Sequence, residues 1–426
     1  MKKTRIAYDK LKRKQRWMSL LFFLIGILIT VSIIAVMLIV YPKEFNALVN
    51  KETPTTTTSS TTHEIKQTND SIETADIKPT FVPRTNFDNP SATPLLYKSL
   101  KDTLEQDIAS RELSGTLLAI KNNQVVMYNS FGYAADIPWK AQESTYMIAS
   151  LQKFYTAILI STLISEKKLT LETKLSEFYP DIQGSQNVTI DQLLTMTSGL
   201  TLDLGKAPNS IKTEKELHEY VIKNTINKNN NNWSYTPVNY SILAMIIEKI
   251  TGKTYEEYFN MVVKEPLNLT QTGFYTDLSN DSHLVPVNEE DGTLRTSSIP
   301  DYAYVRELGT GNMFVSPKDF AIVVQAVMDG KFGDLQQIKS IWTKPDETYG
   351  TTYYKSGLYR QVLTTNGPTE FYGHGIFRGY EPTVAFNNDA SDMIIYFSNQ
   401  RFSNKANETA TKEFYNIISQ PVNFSE

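Results

Sequence analysis

The stretch Ser150-Leu151-Gln152-Lys153 places a hydroxyl and an amine one helical turn apart. Residues i and i+3 lie on the same face of an α-helix, with Cβ atoms about 5–6 Å apart. A serine is a weak nucleophile until a base takes its proton. A lysine this close can be that base if burial lowers its pKa from the ordinary value of about 10.4. The stretch therefore predicts Ser150 as a nucleophile and Lys153 as its base.

The surrounding residues distinguish this stretch from a second copy of the spacing, Ser165-Glu166-Lys167-Lys168, which is charged and indicates a solvated helix end. A helix that is apolar on most of its circumference is buried, and a site at its N-terminus lies in a positive potential. The residues around Ser150 that give this apolar pattern are Tyr146, Met147, Ile148, Ala149, Leu151, Phe154, Ala157, Ile158, Leu159, Leu163 and Ile164. A capping serine with a snorkelling lysine remains an alternative interpretation.

A second candidate element is Tyr235-Thr236-Pro237-Val238-Asn239-Tyr240, which precedes an apolar run ending at Gly252. Proline suits the first helical turn, and glycine is typical of a helix C-terminus. Tyr235 therefore lies just outside a predicted helix N-terminus, where its hydroxyl could relay a proton to a leaving group. An ordinary buried tyrosine is the alternative, since the chain has 24 tyrosines.

A third candidate element is Tyr372-Gly373-His374-Gly375-Ile376-Phe377-Arg378-Gly379-Tyr380. Glycines in an edge strand allow a substrate backbone to approach closely, and such a strand can hold an extended substrate. We therefore predict a substrate-binding edge strand that includes His374, Gly375 and Ile376. His374 could instead be structural.

Several classes of protein are disfavoured by the sequence. No Gly-x-Ser-x-Gly motif is present, which argues against an α/β-hydrolase triad. The chain has no cysteine and no Gly-rich phosphate loop. No two of its histidines, His63, His218, His283 and His374, have metal-ligand spacing. We predict no cofactor and no metal. We also predict no nucleic-acid partner, because residues 17–426 carry 34 positive and 45 negative side chains.

The N-terminal region indicates a membrane anchor. Residues 1–17 form a basic flank that the positive-inside rule keeps cytoplasmic. Residues 18–41 are uncharged and almost all apolar, and 24 helical residues span about 36 Å, enough to cross a bilayer. Residues 42–92 are rich in Thr and Ser and predict a flexible extracellular linker. We expect a single-pass protein with its folded domain, residues 93–426, outside the cell.

The folded domain is predicted to be α/β of the α+β type. A helix at 95–110 precedes strands at 115–121 and 124–132, with a hairpin turn at Asn122-Asn123. Strands at 352–362, 383–387 and 393–399 precede a last helix at 404–419. Strands at both ends of the sequence, with a helical region at 150–342 between them, predict one antiparallel sheet flanked by terminal helices and carrying a large all-helical insertion. Ser150 would begin that insertion.

Taken together, the three elements resemble the serine penicillin-recognising enzymes, which include class C-type β-lactamases, low-molecular-weight penicillin-binding proteins and related esterases. Further segments agree with this resemblance: Leu193–Leu200, Glu265–Leu269 and Gly311–Asp319. The resemblance implies a β-lactamase/transpeptidase-like fold and an acyl-enzyme mechanism. Ser150 would attack a carbonyl while Lys153 takes its proton, and Tyr235 would protonate the leaving group. Amides of Ser150 and of Ile376 or Phe377 would hold the oxyanion.

Two departures from the family pattern affect the expected substrate. The family's Tyr-x-Asn is here Tyr235-Thr236-Pro237, so Asn239 is the nearest candidate to replace the missing amide. The family's Lys/His-Thr/Ser-Gly is interpreted here as His374-Gly375-Ile376, without the hydroxyl that binds a substrate carboxylate. Arg378 could compensate, and its planar guanidinium suits a carboxylate or a phosphate.

These departures favour a hydrolase of D-alanyl esters on (lipo)teichoic acid, a substrate without that carboxylate. The segment patterns also resemble those of teichoic-acid D-alanyl esterases. A DD-carboxypeptidase acting on peptidoglycan, a β-lactamase and a wall-binding protein that has lost turnover remain alternatives. The expected partners are an envelope polymer and the cell membrane of a Gram-positive bacterium.

Overall fold

The structure is a computed structural model that describes residues 81–87, 94–279, 282–333, 353–363 and 369–421. Over these residues, no helix has both the length and the apolar character needed to cross a membrane. The predicted basic flank at 1–17 and the predicted anchor at 18–41 lie outside the described residues, as do residues 42–80 and 88–92 of the predicted linker.

The secondary structure alternates between strands and helices. The strands are β1 (Gly115–Lys121), β2 (Gln124–Phe131), β3 (Tyr146–Met147), β4 (Leu200–Thr201), β5 (Ile226–Asn227), β6 (Thr272–Phe274), β7 (Met313–Val315), β8 (Tyr353–Lys355), β9 (Leu358–Val362), β10 (Thr369–His374), β11 (Glu381–Phe386) and β12 (Met393–Ser398). The helices are α1 (Lys98–Ala109), α2 (Gln152–Ser165), α3 (Ile190–Leu194), α4 (Glu214–Asn224), α5 (Val238–Thr251), α6 (Tyr255–Phe259), α7 (Asp301–Val305), α8 (Pro317–Met328) and α9 (Ala406–Ile418).

One antiparallel sheet organises the domain. Its strand order within the described residues is β2-β1-β12-β11-β10-β9-β8. The chain's first strands therefore pair with its last, as in Leu118 opposite Ile395. The hairpin between β1 and β2 turns at Asn122 and Asn123, which both have positive φ, as two-residue hairpin turns of type I′ require. The predicted mixed α/β architecture with an antiparallel sheet is confirmed.

Each face of the sheet supports its own apolar core, because successive side chains along a strand point to opposite faces. Leu117 and Ala119 of β1 pack with α1 and α9, the two terminal helices. Leu118 and Ile120 pack on the other face against the inserted region. In that region, α2 is buried on nearly all sides, in agreement with a sequence that is apolar on most of the helix circumference.

Three details of the predicted fold are wrong. The segment at 352–362 is two strands, β8 and β9, because Ser356 and Gly357 turn the chain with φ of 56° and 87°. The inserted region is not all-helical, since β7 pairs with both β3 and β6, and β4 pairs with β5. These strands have two or three residues each, too few to show a period in the sequence.

The third detail concerns β10, which lies inside the sheet, not at its edge. It pairs with β11 up to His374, but its pairing with β9 ends at Tyr372. Beyond Tyr372 the side of β10 towards β9 has no strand partner among the described residues. The glycine-containing end of β10 is therefore locally edge-like although the strand as a whole is internal.

Residues 81–87 lie in the segment that we predict as part of the flexible linker, yet they pack on the domain. The backbone amide of Thr85 donates to the Gln325 side chain of α8, and the Gln325 amide donates to Thr85 Oγ1 at 2.7 Å. Phe87 is buried in the core. A buried aromatic and a buried hydrogen-bonding pair therefore hold these residues against the domain.

The hairpin between β8 and β9 presses on the first turn of α2. A Cβ added to Gly357 would lie 2.3 Å from the Phe154 amide nitrogen and 2.6 Å from the Lys153 carbonyl carbon. These are backbone atoms that cannot rotate away. Because the hairpin tip touches the backbone of Lys153, it helps to fix where that residue's helix begins.

Gly357→Ala is expected to cost about 2–5 kcal/mol of folding free energy, because it combines a left-handed φ with overpacking. Gly252→Ala is a matched control, since Gly252 has φ of 67° and a Cβ added there would meet nothing within 4 Å. The control should lose only about 1–2 kcal/mol. Urea unfolding measures both values, and equal losses would contradict the contact described above.

Candidate active site

The structure brings Ser150 and Lys153 together at the start of α2. Ser150 lies in a short 3-10 turn, Ala149–Leu151, that leads directly into the helix. Lys153 Nζ donates a 2.8 Å hydrogen bond to Ser150 Oγ and lies 3.3 Å from the Thr310 carbonyl oxygen. Lys153 is fully buried, whereas Ser150 is partly exposed. The hydroxyl thus faces the cleft and its base lies behind it.

Burial lowers the pKa of Lys153 and so makes its amine available as a base. Desolvation lowers the pKa of Lys153 to about 8, and the negative charge of Glu307 partly opposes the shift. At pH 7 roughly one Lys153 in ten is then neutral, far more than for a lysine with an ordinary pKa. A neutral amine within hydrogen-bonding distance of a hydroxyl can act as its general base.

Two backbone features shape the nucleophile's surroundings. Ala149 has φ of 48°, a conformation that is strained for a residue with a side chain. A Cβ on Gly375 would lie 2.7 Å from the Ser150 amide nitrogen and 2.6 Å from the Ile148 carbonyl oxygen. Only glycine fits here, so the end of β10 lies directly against the backbone of Ser150.

This contact also identifies the amides that can hold an oxyanion. The Phe377 amide donates to the Tyr380 carbonyl, which leaves Ile376 as the strand's candidate donor beside the amide of Ser150. Because paired backbone amides beside a nucleophile stabilise a tetrahedral intermediate, we propose the amides of Ser150 and Ile376 for this role. Ile376 is 40% exposed, as a group beside an incoming substrate must be.

Tyr235 completes the cluster. Its hydroxyl hydrogen-bonds with Ser150, and burial of that hydroxyl raises the pKa of Tyr235 to about 12. The residue as a whole is 37% exposed. Lys153 Nζ lies 5.4 Å from the ring centre. Tyr235 therefore stays protonated near neutral pH and can pass a proton between Ser150, Lys153 and a leaving group.

Glu307 is a site residue that our sequence analysis missed. It follows α7 and is half-buried, and its carboxylate accepts a 2.7 Å hydrogen bond from Thr310 Oγ1. Its charge raises the pKa of both Lys153 and Tyr235. The only signal in the sequence is its position just before the glycine-rich turn at Gly309–Gly311, which gives no indication that the carboxylate points towards Lys153.

His374 lies beside the cluster, in a mainly aromatic environment. Its ring stacks on Tyr359 and Tyr372, with centroids 5.9 and 6.0 Å away. Burial lowers the pKa of His374, which also faces Glu408, Lys405, Lys153 and Lys412. Its Nδ1 atom is buried and has no hydrogen-bond partner among the described residues. The ring is therefore neutral near neutral pH.

The position of Gly375 also changes how the third motif is aligned. The family motif ends in glycine, and Gly375 is the glycine that lies against Ser150. Aligning those two glycines puts His374, and not Gly375, where the motif has its hydroxyl. On this contact we propose that the motif is Gly373-His374-Gly375, one residue earlier than the sequence alone suggests.

Asn239 is not brought to the cleft. It is buried, its Oδ1 accepts from Ser198 Oγ at 2.6 Å, and its Nδ2 donates to the Thr236 carbonyl at 3.0 Å. The hydrogen bonds of its side-chain amide therefore join the loop at Ser198 to the segment just before α5. This geometry speaks against the substrate contact that we predict for Asn239 from the sequence.

Arg378 lies on the far side of Ile376, at the tip of the turn between β10 and β11. Arg378 and Gly379 have φ of 48° and 91°, and Phe377 and Tyr380 exchange both backbone hydrogen bonds across the turn. The guanidinium is exposed and lines a cavity together with Ile376. In the part of the chain that the structure describes, no group of three or more His, Asp or Glu side chains could hold a metal ion.

A serine paired with a buried lysine and a protonated tyrosine is the arrangement of a serine hydrolase. The comparisons with known proteins agree with this class. The "Beta-lactamase" family model matches residues 100–413, and the chain belongs to that family.

Relatives of known sequence or structure resemble the chain over about three quarters of its length. PbpX of Bacillus subtilis (strain 168), whose name as a penicillin-binding protein is provisional, is 27% identical over 312 residues, 72% of this chain and 75% of its own. The teichoic acid D-alanine hydrolase of Staphylococcus aureus is 25% identical over 335 residues, 76% of this chain and 77% of its own. The crystal structure of FmtA from Staphylococcus aureus has a TM-score of 0.64 at 23% identity and covers 78% of this chain and 90% of that chain.

Acylation of Ser150 is expected to accelerate with rising pH. The reactive form has neutral Lys153, whose fraction increases through its pKa of about 8, while the pKa of Tyr235 near 12 lies above this range. Acylation rates with a p-nitrophenyl ester between about pH 6 and 10 should therefore rise and level off above about pH 8 to 9. A flat or falling profile would contradict Lys153 as the base.

Glu307→Gln is expected to move that profile to lower pH. The substitution removes the negative charge that raises the pKa of Lys153, so the pKa falls further and the neutral form appears earlier. The same acylation assay measures the shift. Glu172→Gln, an exposed carboxylate elsewhere on the surface, is the control and should leave the midpoint in place. A shift to higher pH would contradict the statement that the Glu307 charge raises the pKa of Lys153.

Proposed function

We propose that this serine hydrolase removes D-alanyl groups from (lipo)teichoic acid on the outer face of the cell membrane. One observation carries the proposal. The position that the family motif gives to a carboxylate-binding hydroxyl is here His374, a neutral ring packed against Tyr359 and Tyr372. A substrate carboxylate placed there would meet an aromatic ring in place of the hydroxyl that binds it in the family. D-alanyl esters have no carboxylate next to the scissile bond.

The geometry supports the following steps. Ser150 Oγ attacks the ester carbonyl as its proton passes to Lys153 Nζ, 2.8 Å away. The amides of Ser150 and Ile376 hold the oxyanion. When the C–O bond of the ester breaks, the proton passes through Tyr235 to the departing polymer hydroxyl. The D-alanyl group is then bonded to Ser150, and a water molecule activated by Lys153 releases it as D-alanine.

The relatives support the choice of substrate. One of them is named a teichoic acid D-alanine hydrolase, and it matches this chain over three quarters of both lengths. The sequence supports the location, because residues 18–41 are uncharged and apolar and follow a basic flank. We propose residues 1–17 as the cytoplasmic flank, 18–41 as the anchor, 42–92 as the linker and 93–426 as the hydrolase domain.

A DD-carboxypeptidase acting on peptidoglycan is the second candidate. Arg378 favours it, because this exposed guanidinium lies beyond Ile376 and could bind the terminal carboxylate of a stem peptide. The two candidates differ in the bond cleaved, an ester in one and a peptide bond in the other, so they are distinguished by substrate.

Incubation of the protein with D-alanylated lipoteichoic acid should release free D-alanine. Ser150→Ala should reduce the rate by about 10³-fold or more, because it removes the nucleophile. Chiral amino-acid analysis measures the product. A peptide ending in D-Ala-D-Ala should be cleaved much more slowly by the same preparation. Release no faster than with the Ser150→Ala variant, or faster cleavage of the peptide, would reject the proposal.

A further inference from the structure

We propose that a cavity next to the oxyanion strand is a phosphodiester-binding subsite for the teichoic acid backbone, an inference that rests on the proposed function. The cavity has a volume of about 540 Å³ and is lined by Arg295, Arg378 and Arg401 together with Glu289 and Glu290. Ile376 also lines it, so the cavity begins where the substrate carbonyl would be held.

Both carboxylates of the cavity already have partners. Glu289 forms two hydrogen bonds with the guanidinium of Arg295, at 2.6 and 2.9 Å. Glu290 Oε1 accepts from the amide and the hydroxyl of Ser403 at 3.1 and 2.8 Å. Glu289 is neutralised by Arg295, whereas Glu290 binds neutral donors and keeps its charge, so three arginines and two carboxylates leave the cavity lining with a net charge of +1.

Arg378 and Arg401 are the two arginines of the cavity that form no ion pair within the described residues. Both side chains are exposed, and within the described part of the chain neither guanidinium pairs with a carboxylate. Residues 17–426 carry a net charge of −11, from 34 positive and 45 negative side chains. In this otherwise acidic chain, a cavity with a net positive lining and two exposed guanidinium groups favours an anionic ligand.

The turn that carries Arg378 is held in place for this role. Arg378 occupies a left-handed position, where such turns favour Asn, Asp or Gly. Arg295 fixes the turn by donating to the Arg378 carbonyl oxygen, and Arg295 is itself held by Glu289. A Cβ on Gly379 would lie 2.3 Å from a Val287 methyl carbon. The turn therefore holds Arg378 in a strained backbone conformation, with its side chain lining the cavity.

A polymer of phosphodiesters fits this arrangement better than a peptide terminus. Guanidinium groups bind phosphate oxygens in pairs, and a teichoic acid has a phosphodiester next to every acylated unit. A single terminal carboxylate would use one arginine and fill little of the 540 Å³. The repeating phosphates of a polymer can use Arg378 and Arg401 together while the D-alanyl ester lies at Ser150.

The test measures binding of fluorescently labelled poly(glycerol phosphate) without D-alanine to the full chain in detergent, by anisotropy. Arg378→Ala and Arg401→Ala should each weaken binding about tenfold, the usual cost of losing a charged hydrogen bond. Added salt should weaken wild-type binding more than that of the variants. Lys253→Ala, an exposed cation after α5, is the control and should bind like the wild type. Arg378→Lys should retain part of the affinity and shows that the turn still folds.

The inference is overturned if the wild type does not bind the polymer, or if both alanine variants bind it as the wild type does. It is also overturned if a peptide ending in D-Ala-D-Ala, and not the polymer, binds in an arginine-dependent way. Because the probe has no D-alanine, binding is independent of hydrolysis. Arginine-dependent binding without release of D-alanine would reject the proposed function alone, and release without such binding would reject the subsite alone.

Discussion

The burial of the Lys153 ammonium directly behind the Ser150 hydroxyl is the constraint on which the site depends. Desolvation lowers the pKa of Lys153 to about 8, and this makes an otherwise charged side chain available as a base. The same burial raises the pKa of Tyr235 and keeps it protonated. Glu307 limits the effect on Lys153 by favouring its charged form. One low-dielectric environment thus sets the pKa values of Lys153 and Tyr235 in directions that suit proton transfer.

The fold maintains this environment through contacts between backbones. The hairpin tip at Gly357 touches the backbone of Lys153 and Phe154, and the end of β10 at Gly375 touches the backbone of Ser150. The Gln152 side chain connects the same turn to Asn312 and Met313. Since sheet, hairpin and insertion all meet at the first turn of α2, water is excluded from Lys153 while Ser150 stays accessible.

The sequence predicted the parts of the site that depend on local spacing. Ser150 and Lys153 are one helical turn apart, and the helix-starting proline after Tyr235 located that tyrosine, so the structure brings these three together as expected. The sequence could not locate Glu307, because only the tertiary fold brings this residue near Lys153. The sequence also led us to predict Asn239 in the cleft. In the structure the Asn239 side chain accepts a hydrogen bond from Ser198 in a neighbouring loop. The position of β10 inside the sheet was missed because β8 and β9 are short. Their sequence looks like one continuous strand and does not show the turn between them.

Direct titration of Lys153 tests the central claim. With lysine labelled with ¹³C at Cε, the Lys153 signal can be assigned by its loss in a Lys153→Arg variant and followed by NMR as pH is raised. A midpoint near 8 is expected, well below those of the exposed lysines. A Lys153 signal that titrates with the exposed lysines near 10.5 would contradict it, because Lys153 would then be charged when the serine must lose its proton.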